Sequence, residues 1–488
     1  MLCIAAPVQA DPKVWLDSHK AELLREYVDL LAIPNVASSL EDMRRNADHI
    51  RAMMARRGLS PQLLENADKS APPLVYGEWL VPGAKRTLVL YAHYDGQPVT
   101  PSAWTVTQPF APRLLTNRAD RPDAAPPAPG AAISDEWRVY ARGASDDKGG
   151  VMAILAAVDA LKAAGERPGF NLKIVFEGEE EAGSPNLAEL LRLHRTLLTS
   201  DGWVIIDGPA HASGVRQLNL GVRGDVNASL SVYGPARPLH SGHYGNWAPN
   251  PAMMLAQLLA SMKDANGRVL VPGFYDDVVP LTEAEHAAIA AIPPPDAGLK
   301  EELALGWTEG RGTGLTELLQ QPSLNINGMR SADVGGNSRN VIPTVATAAI
   351  DLRLVLGNSP ERQVARLAAH IRAQGYNVVD REPTLDERRA GKVAMLTATP
   401  GYPAERTPLG SPLAQQVIRA LQPDGPLIVL PSLGGSLPLY LIRQELGAPT
   451  AILSLWNHDN NQHGEDENIR LGNLWSGILT IAALMSAR

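Results

Sequence analysis

Residues able to do metal or acid–base chemistry in this chain cluster where apolar runs end. The plainest cluster is Ala141-Arg142-Gly143-Ala144-Ser145-Asp146-Asp147-Lys148-Gly149-Gly150, which passes directly into the apolar stretch Val151–Val158. Adjacent carboxylates repel, so a turn that holds both needs a counter-charge. A divalent cation supplies one, and oxygen and nitrogen ligands suit zinc or manganese. The competing reading is a solvated acidic loop that caps a helix N-terminus. Other stretches weigh against it. The run Thr87–Ala92 ends in His93-Tyr94-Asp95. On an extended chain Asp95 shares a side with His93 and can orient its second ring nitrogen. The run Asn171–Phe176 ends in Glu177-Gly178-Glu179-Glu180-Glu181. Consecutive glutamates there are costly unless solvated, used as a helix cap, or bound to cations. The run Trp203–Ile206 ends in Asp207-Gly208-Pro209. One metal site at the carboxyl edge of an α/β sheet explains these endings together.

The surrounding pattern predicts the elements that position them. Residues 11–57 read as helical, with a break at Pro34. Leu74–Leu80 and Thr87–Ala92 read as strands, the second apolar on both faces and so central in its sheet. Asp120–Gly130, rich in Ala and Pro, reads as a surface loop. After Gly214 the pattern changes. Asp225–Val232 and Thr347–Val355 alternate polar and apolar residues, as antiparallel strands with one wet face do. Asn250-Pro251 opens a helix with Asn at the N-cap and Pro in the first turn. Apolar runs then return at 427–430 and 450–455, and a final helix covers 473–485. The expected architecture is α/β: a catalytic domain with a mixed, mainly parallel central sheet, interrupted by an inserted α+β domain. The boundaries are 11–214 and 396–488 for the first and 215–395 for the second.

Composition narrows the function. The chain has 488 residues, 45% of them hydrophobic and 20% charged, with a net charge of −8. That charge argues against nucleic acid as a partner. No apolar run reaches the length of a membrane span. The single cysteine, Cys3, excludes a disulfide framework or a cysteine metal site. Residues 1–10 are apolar and close on small residues, like the end of a secretory signal without its basic start. They suggest export to the periplasm, with the cytoplasm as the alternative.

Taken together, His93-Tyr94-Asp95, Arg142–Gly149, Glu177–Ser184, Leu239-His240-Ser241-Gly242 and a late His463-Gly464-Glu465 resemble the aminoacylase, carboxypeptidase G and carnosine dipeptidase family of dinuclear zinc peptidases. Leu270–Asp277 is similar to the carnosine dipeptidase branch. The resemblance implies two divalent ions per chain, zinc first and manganese second. His93 and Asp207 would hold one ion and Glu181 and His463 the other, with Asp146 bridging and a cis peptide after it. Asp95 would orient His93, and Glu180 would be the general base. His240 would stabilise the oxyanion across a homodimer built on the inserted domain. Asn340, Arg353 and Ser436 would hold the substrate's free carboxylate. One departure is the stretch Met395–Tyr402, which lacks the further histidine of the carnosine dipeptidase branch. His458 is the fallback for His463. The expected activity is amide hydrolysis of dipeptides or short peptides with a free C-terminal carboxylate. The alternatives are an N-acyl or N-carbamoyl amino acid amidohydrolase, and a non-catalytic metal-bearing binding protein.

Overall fold

The computed structural model describes residues 11–487, so the apolar run Met1–Ala10 lies outside the described residues. Contacts divide the chain into two compact units. One holds the residues up to Gly221 together with Thr407–Pro431 and Leu441 onward; the other holds Val222–Arg406 and Ser432–Tyr440. The limits thus fall at 221/222 and 406/407 rather than 214/215 and 395/396, and a short excursion at 432–440 joins the second unit.

The first unit opens with α1 (Pro12–Leu31), capped by the Asp11 carboxylate on Lys13 N–H, and α2 (Leu40–Arg56), capped by Ser39. Between them the chain turns at the Pro34 break. Its sheet has eight strands: β1 (Gln62–Leu64), β2 (Leu74–Trp79), β3 (Thr87–His93), β4 (Asn171–Glu177), β5 (Gly202–Ile206), β6 (Arg216–Asn219), β7 (Leu427–Leu430) and β8 (Thr450–Ser454). Their spatial order is β1-β2-β4-β3-β5-β8-β6-β7. The central run β4-β3-β5-β8 is parallel throughout. The β6–β7 pair is also parallel, and the remaining pairings are antiparallel. Parallel strands are covered on both faces, which is why β3, β5 and β8 read as unbroken apolar runs. The covering helices include α3 (Lys148–Ala163) and α4 (Leu471–Ser486), whose apolar faces enter one core with α1 and α2.

The segment before the Asp146 loop is not part of this sheet. Arg138–Tyr140 pairs instead with Arg113–Leu115 and Asn468–Arg470 in a separate three-stranded sheet. Segments this short carry too little periodicity to assign to a sheet.

The second unit holds a five-stranded sheet in the order Ser323–Arg330, Val345–Leu354, Gly224–Tyr233, Val393–Ala398, Asn377–Val379. Helices Pro251–Ala260 and Pro360–Ala373 complete its own apolar core. Asn250 caps the first of these by accepting Ala252 N–H at 2.9 Å.

Candidate metal centre

The four parallel strands deliver their residues to one edge. His93 ends β3 and pairs in register with Glu177 at the end of β4. Asp207 follows β5, and the segment after β8 carries His463. Asp146 and Asp147 arrive from the small sheet and start α3, with Asp147 as N-cap accepting Gly150 N–H at 3.1 Å. The Asp146–Asp147 peptide is cis.

The side chains converge in two groups. His93, Asp147 and Asp207 offer ligand atoms that all lie within 4.8 Å of one another, and so do Asp146, Glu181 and His463. Asp146 links them: its Oδ1 is 3.0 Å from His93 Nε2 and its Oδ2 is 3.0 Å from His463 Nε2. His463 Nε2 also lies 3.5 Å from Glu181 Oε2. The presence of Asp147 in the first group was not anticipated. His458 is exposed and belongs to neither group.

The three consecutive glutamates divide their work. Glu179 accepts Asn186 N–H at 2.7 Å and its amide at 3.0 Å, and so serves the following helix. Glu180 faces the imidazole of His93, 4.0 Å from Nε2. Glu181 joins His463. Asp95 is fully buried. Its carboxylate lies 3.3 Å from His93 Nδ1 and also accepts the backbone N–H of Glu180 (3.2 Å) and Glu181 (3.0 Å).

Charge in this site is lopsided. Burial pushes Glu180 and Asp147 well above the usual carboxylate range, reinforced by Asp207 nearby. Burial and the Asp146 charge raise Glu181 to about 8 and Asp207 to about 6. His463 is raised to about 9 by its hydrogen bond to Asp146. Burial pushes Asp146 up as well, but hydrogen bonds from His463 and His93 outweigh it and hold it low. With Asp95, six carboxylates thus share two imidazoles. The two basic side chains of the Asp146 loop are engaged elsewhere: Arg142 pairs with Glu467, and Lys148 Nζ donates to the carbonyls of Leu30 (2.9 Å) and Ile33 (2.7 Å). An oxygen-rich set, buried in the first group and reaching solvent at His463 in the second, with one imidazole per group and a carboxylate spanning both, fits two divalent cations.

Two supporting residues escaped the sequence reading. Gln97 Nε2 donates to Glu181 Oε2 at 2.6 Å. Glu467 is fully buried against the Asp146 loop. Gln97 could have been suspected, because it continues the alternation His93, Asp95. For Glu467 the only sequence signal is an acid ahead of the short strand Asn468–Arg470.

The remaining expected residues lie in the second unit. His240 pairs with Val341 in a two-stranded ladder, its Nδ1 accepts Gly242 N–H at 3.1 Å, and its ring lies 4.5 Å from that of His243. Asn340 is exposed, and its carbonyl accepts Ser241 N–H at 3.1 Å. Arg353 Nη1 donates to Ser436 Oγ at 2.9 Å, and its Nε donates to Asp351 at 3.2 Å. The Arg353–Ser436 contact brings together two residues 83 positions apart.

Comparison with known proteins agrees with this architecture. The model of Peptidase family M20/M25/M40 matches residues 89–487. The Cys-Gly metallodipeptidase dug1 of Schizosaccharomyces pombe is 25% identical over 456 residues, covering 92% of this chain and 90% of that protein. The human Beta-Ala-His dipeptidase is 27% identical, covering 96% of this chain and 90% of its own length. Among solved structures, an M20 family metallo-carboxypeptidase from Sulfolobus solfataricus superposes with a TM-score of 0.75 at 28% identity, covering 95% of this chain and 98% of that one.

Proposed function

The chain belongs to Peptidase family M20/M25/M40, and from that membership we propose that it is a dinuclear metallodipeptidase. Its substrates are dipeptides or short peptides with a free C-terminal carboxylate. The observation that carries this is Asp146, whose two oxygens each meet a different histidine. The similarity to two dipeptidases over nine-tenths of the chain supports the substrate class.

His93 and Asp207, with Asp147 beside them, would hold one ion, and Glu181 and His463 the other, with Asp146 shared. Zinc is the first choice and manganese the second. Two bound cations at such a site supply Lewis acidity to the scissile carbonyl and ease deprotonation of water near neutral pH. The protein's own part starts with Glu180. Its carboxylate sits beside the His93 ring, and burial raises its affinity for a proton. A carboxylate so tuned can take a proton from the attacking water and return it to the leaving amine. Asp95 fixes both the His93 ring and the backbone that presents Glu180. Arg353, steadied by Asp351 and Ser436, offers its remaining N–H groups to a substrate carboxylate, with Asn340 as a second candidate. His240 is the candidate for the oxyanion.

A homodimer through the second unit fits its surface. Ser323–Arg330 is an edge strand, and Trp247, Met253, Met329 and Val334 are all more than half exposed. Export rests on residues 1–10 alone, and cell fractionation tests it. Among the described residues no helix is long and apolar enough to cross a membrane.

The deciding assay is amine release from free dipeptides and from N-acyl amino acids, with metal-loaded and chelated protein in parallel. Chelator-sensitive cleavage of free dipeptides is expected. Cleavage confined to N-acyl substrates would replace the dipeptidase reading with an amidohydrolase. No turnover by protein carrying two metals would overturn the enzymatic reading.

A further inference from the structure

Glu467 has no solvent exposure, and every donor around its carboxylate comes from the loop that carries Asp146. Its Oε1 accepts the backbone N–H of Ser145 at 2.8 Å and of Asp146 at 3.0 Å, and the Ser145 hydroxyl at 3.1 Å. Its Oε2 accepts the backbone N–H of Gly143 at 2.9 Å and Arg142 Nη1 at 2.8 Å. An ionised carboxylate stripped of water is tolerated only where such charge-assisted bonds replace its hydration. Here they also take up three N–H groups of an irregular turn that no ladder or helix satisfies.

The same contact reaches the other side of the site. Glu467 stands four residues after His463, and its carbonyl accepts Ala141 N–H at 3.1 Å. Arg142 Nη2 donates to the carbonyl of Gly464, the residue after His463, at 2.9 Å. The Arg142 guanidinium also lies over the Trp104 ring, 5.4 Å from its centre. The Asp146 turn and the His463 turn therefore form one hydrogen-bonded body with Glu467 at its centre. Glu181 enters from β4 and is not part of it.

We propose that Glu467 is a positioning residue that holds Asp146 in register with His463 and thereby sets the cation affinity of the Asp146–Glu181–His463 group. It touches neither substrate nor metal. The His93–Asp147–Asp207 group depends on it less, because His93 is held in the β3–β4 ladder and Asp207 follows directly on β5. The inference rests on the dinuclear reading above.

The test is a cobalt(II) titration of chelator-stripped wild type and Glu467→Gln, read by visible absorption and calorimetry. His463→Ala identifies which step belongs to the Asp146–Glu181–His463 group. In Glu467→Gln that step should weaken about 10–100-fold, as loss of an orienting partner does, while the other stays within about threefold. In the zinc-loaded enzyme kcat should fall and KM should change little. Two steps at wild-type affinity, or two steps weakened alike, would overturn the proposal. A wild type that takes up fewer than two equivalents would instead defeat the dinuclear reading. If Glu467→Gln does not accumulate folded, Arg142→Lys, which keeps the charge but loses one of the two bonds Arg142 makes here, is read in the same titration against the same outcomes.

Discussion

The carboxylate of Asp95 accepts the backbone N–H of Glu181 at 3.0 Å. One side chain therefore fixes the chain direction at two points: the imidazole two residues before it and the glutamate turn more than eighty residues later. In Asp95→Asn the amide nitrogen would face N–H donors. We expect kcat to fall about 100-fold or more, a loss in the range of a misplaced general base. KM should change little, and the circular dichroism spectrum should be retained. Wild-type kcat in this variant would remove Asp95 from the positioning of Glu180.

Glu180→Gln keeps the size of the side chain and removes its capacity to carry a proton. Turnover should drop about 10²–10⁴-fold. Metal content by elemental analysis should equal wild type, because Glu180 is in neither ligand group. A variant that retains more than a tenth of wild-type kcat would exclude Glu180 as the base.

Gln97 tests the support of Glu181. Gln97→Glu replaces a donor 2.6 Å from a carboxylate with a second carboxylate. Above about pH 8, where Glu181 is ionised, apo protein should lose stability from the added like charge. Excess zinc should restore much of it, because ligand binding to the folded state is linked to stability. Melting curves with and without zinc measure this. An apo melting temperature equal to wild type would show that the pair is solvated.

Asp225 gives a pH dependence in the second unit. Burial, helped by the neighbouring Asp351 carboxylate, raises it to about 6, against the pull of Arg353. The native state thus holds a proton that the unfolded chain releases near pH 4. This group's contribution is therefore most favourable below about pH 4 and is lost as pH rises to about 6. Asp225→Asn removes the dependence. The stability difference between variant and wild type should change by about 3 kcal/mol across that window and then level off. Urea titrations at several pH values measure it, and a flat difference would refute the assignment.

Tyr27 on α1 donates its hydroxyl to the carbonyl of Ala144, two residues before Asp146. Tyr27→Phe leaves that carbonyl buried without this donor, which should cost about 1–2 kcal/mol. The matched family span begins at residue 89, so this contact would show the preceding helix contributing to the loop. Unchanged denaturant midpoints would show that it does not.

Much of the candidate site is legible because side chains gathered at strand ends leave a sequence mark. His93, Glu181 and Asp207 each follow an apolar run whose strand proves to be central and parallel. Asp146 was legible from the carboxylate beside it. Glu467 was not, since its partners are backbone N–H groups more than 300 residues away and no residue type encodes them. The placement of 432–440 in the second unit was also hidden, because so short an excursion shows no change of hydrophobic period. The three-stranded sheet failed for the same reason.

The order of strands in the first unit has a consequence for synthesis. β8 lies between β5 and β6, yet it is made some 230 residues later than either. Until residue 454 leaves the ribosome, β5 has an open flank beside Asp207, and His463 does not yet exist. The second unit, which ends at Tyr440, is complete before then and can form first. Closing so distant a strand pair is slow and leaves an unpaired edge exposed in the meantime. The Asp146–Glu181–His463 group is therefore among the last parts of the molecule to form. A nascent chain stalled short of residue 450 would present β5 as a protease-sensitive edge and would lack His463 of that group.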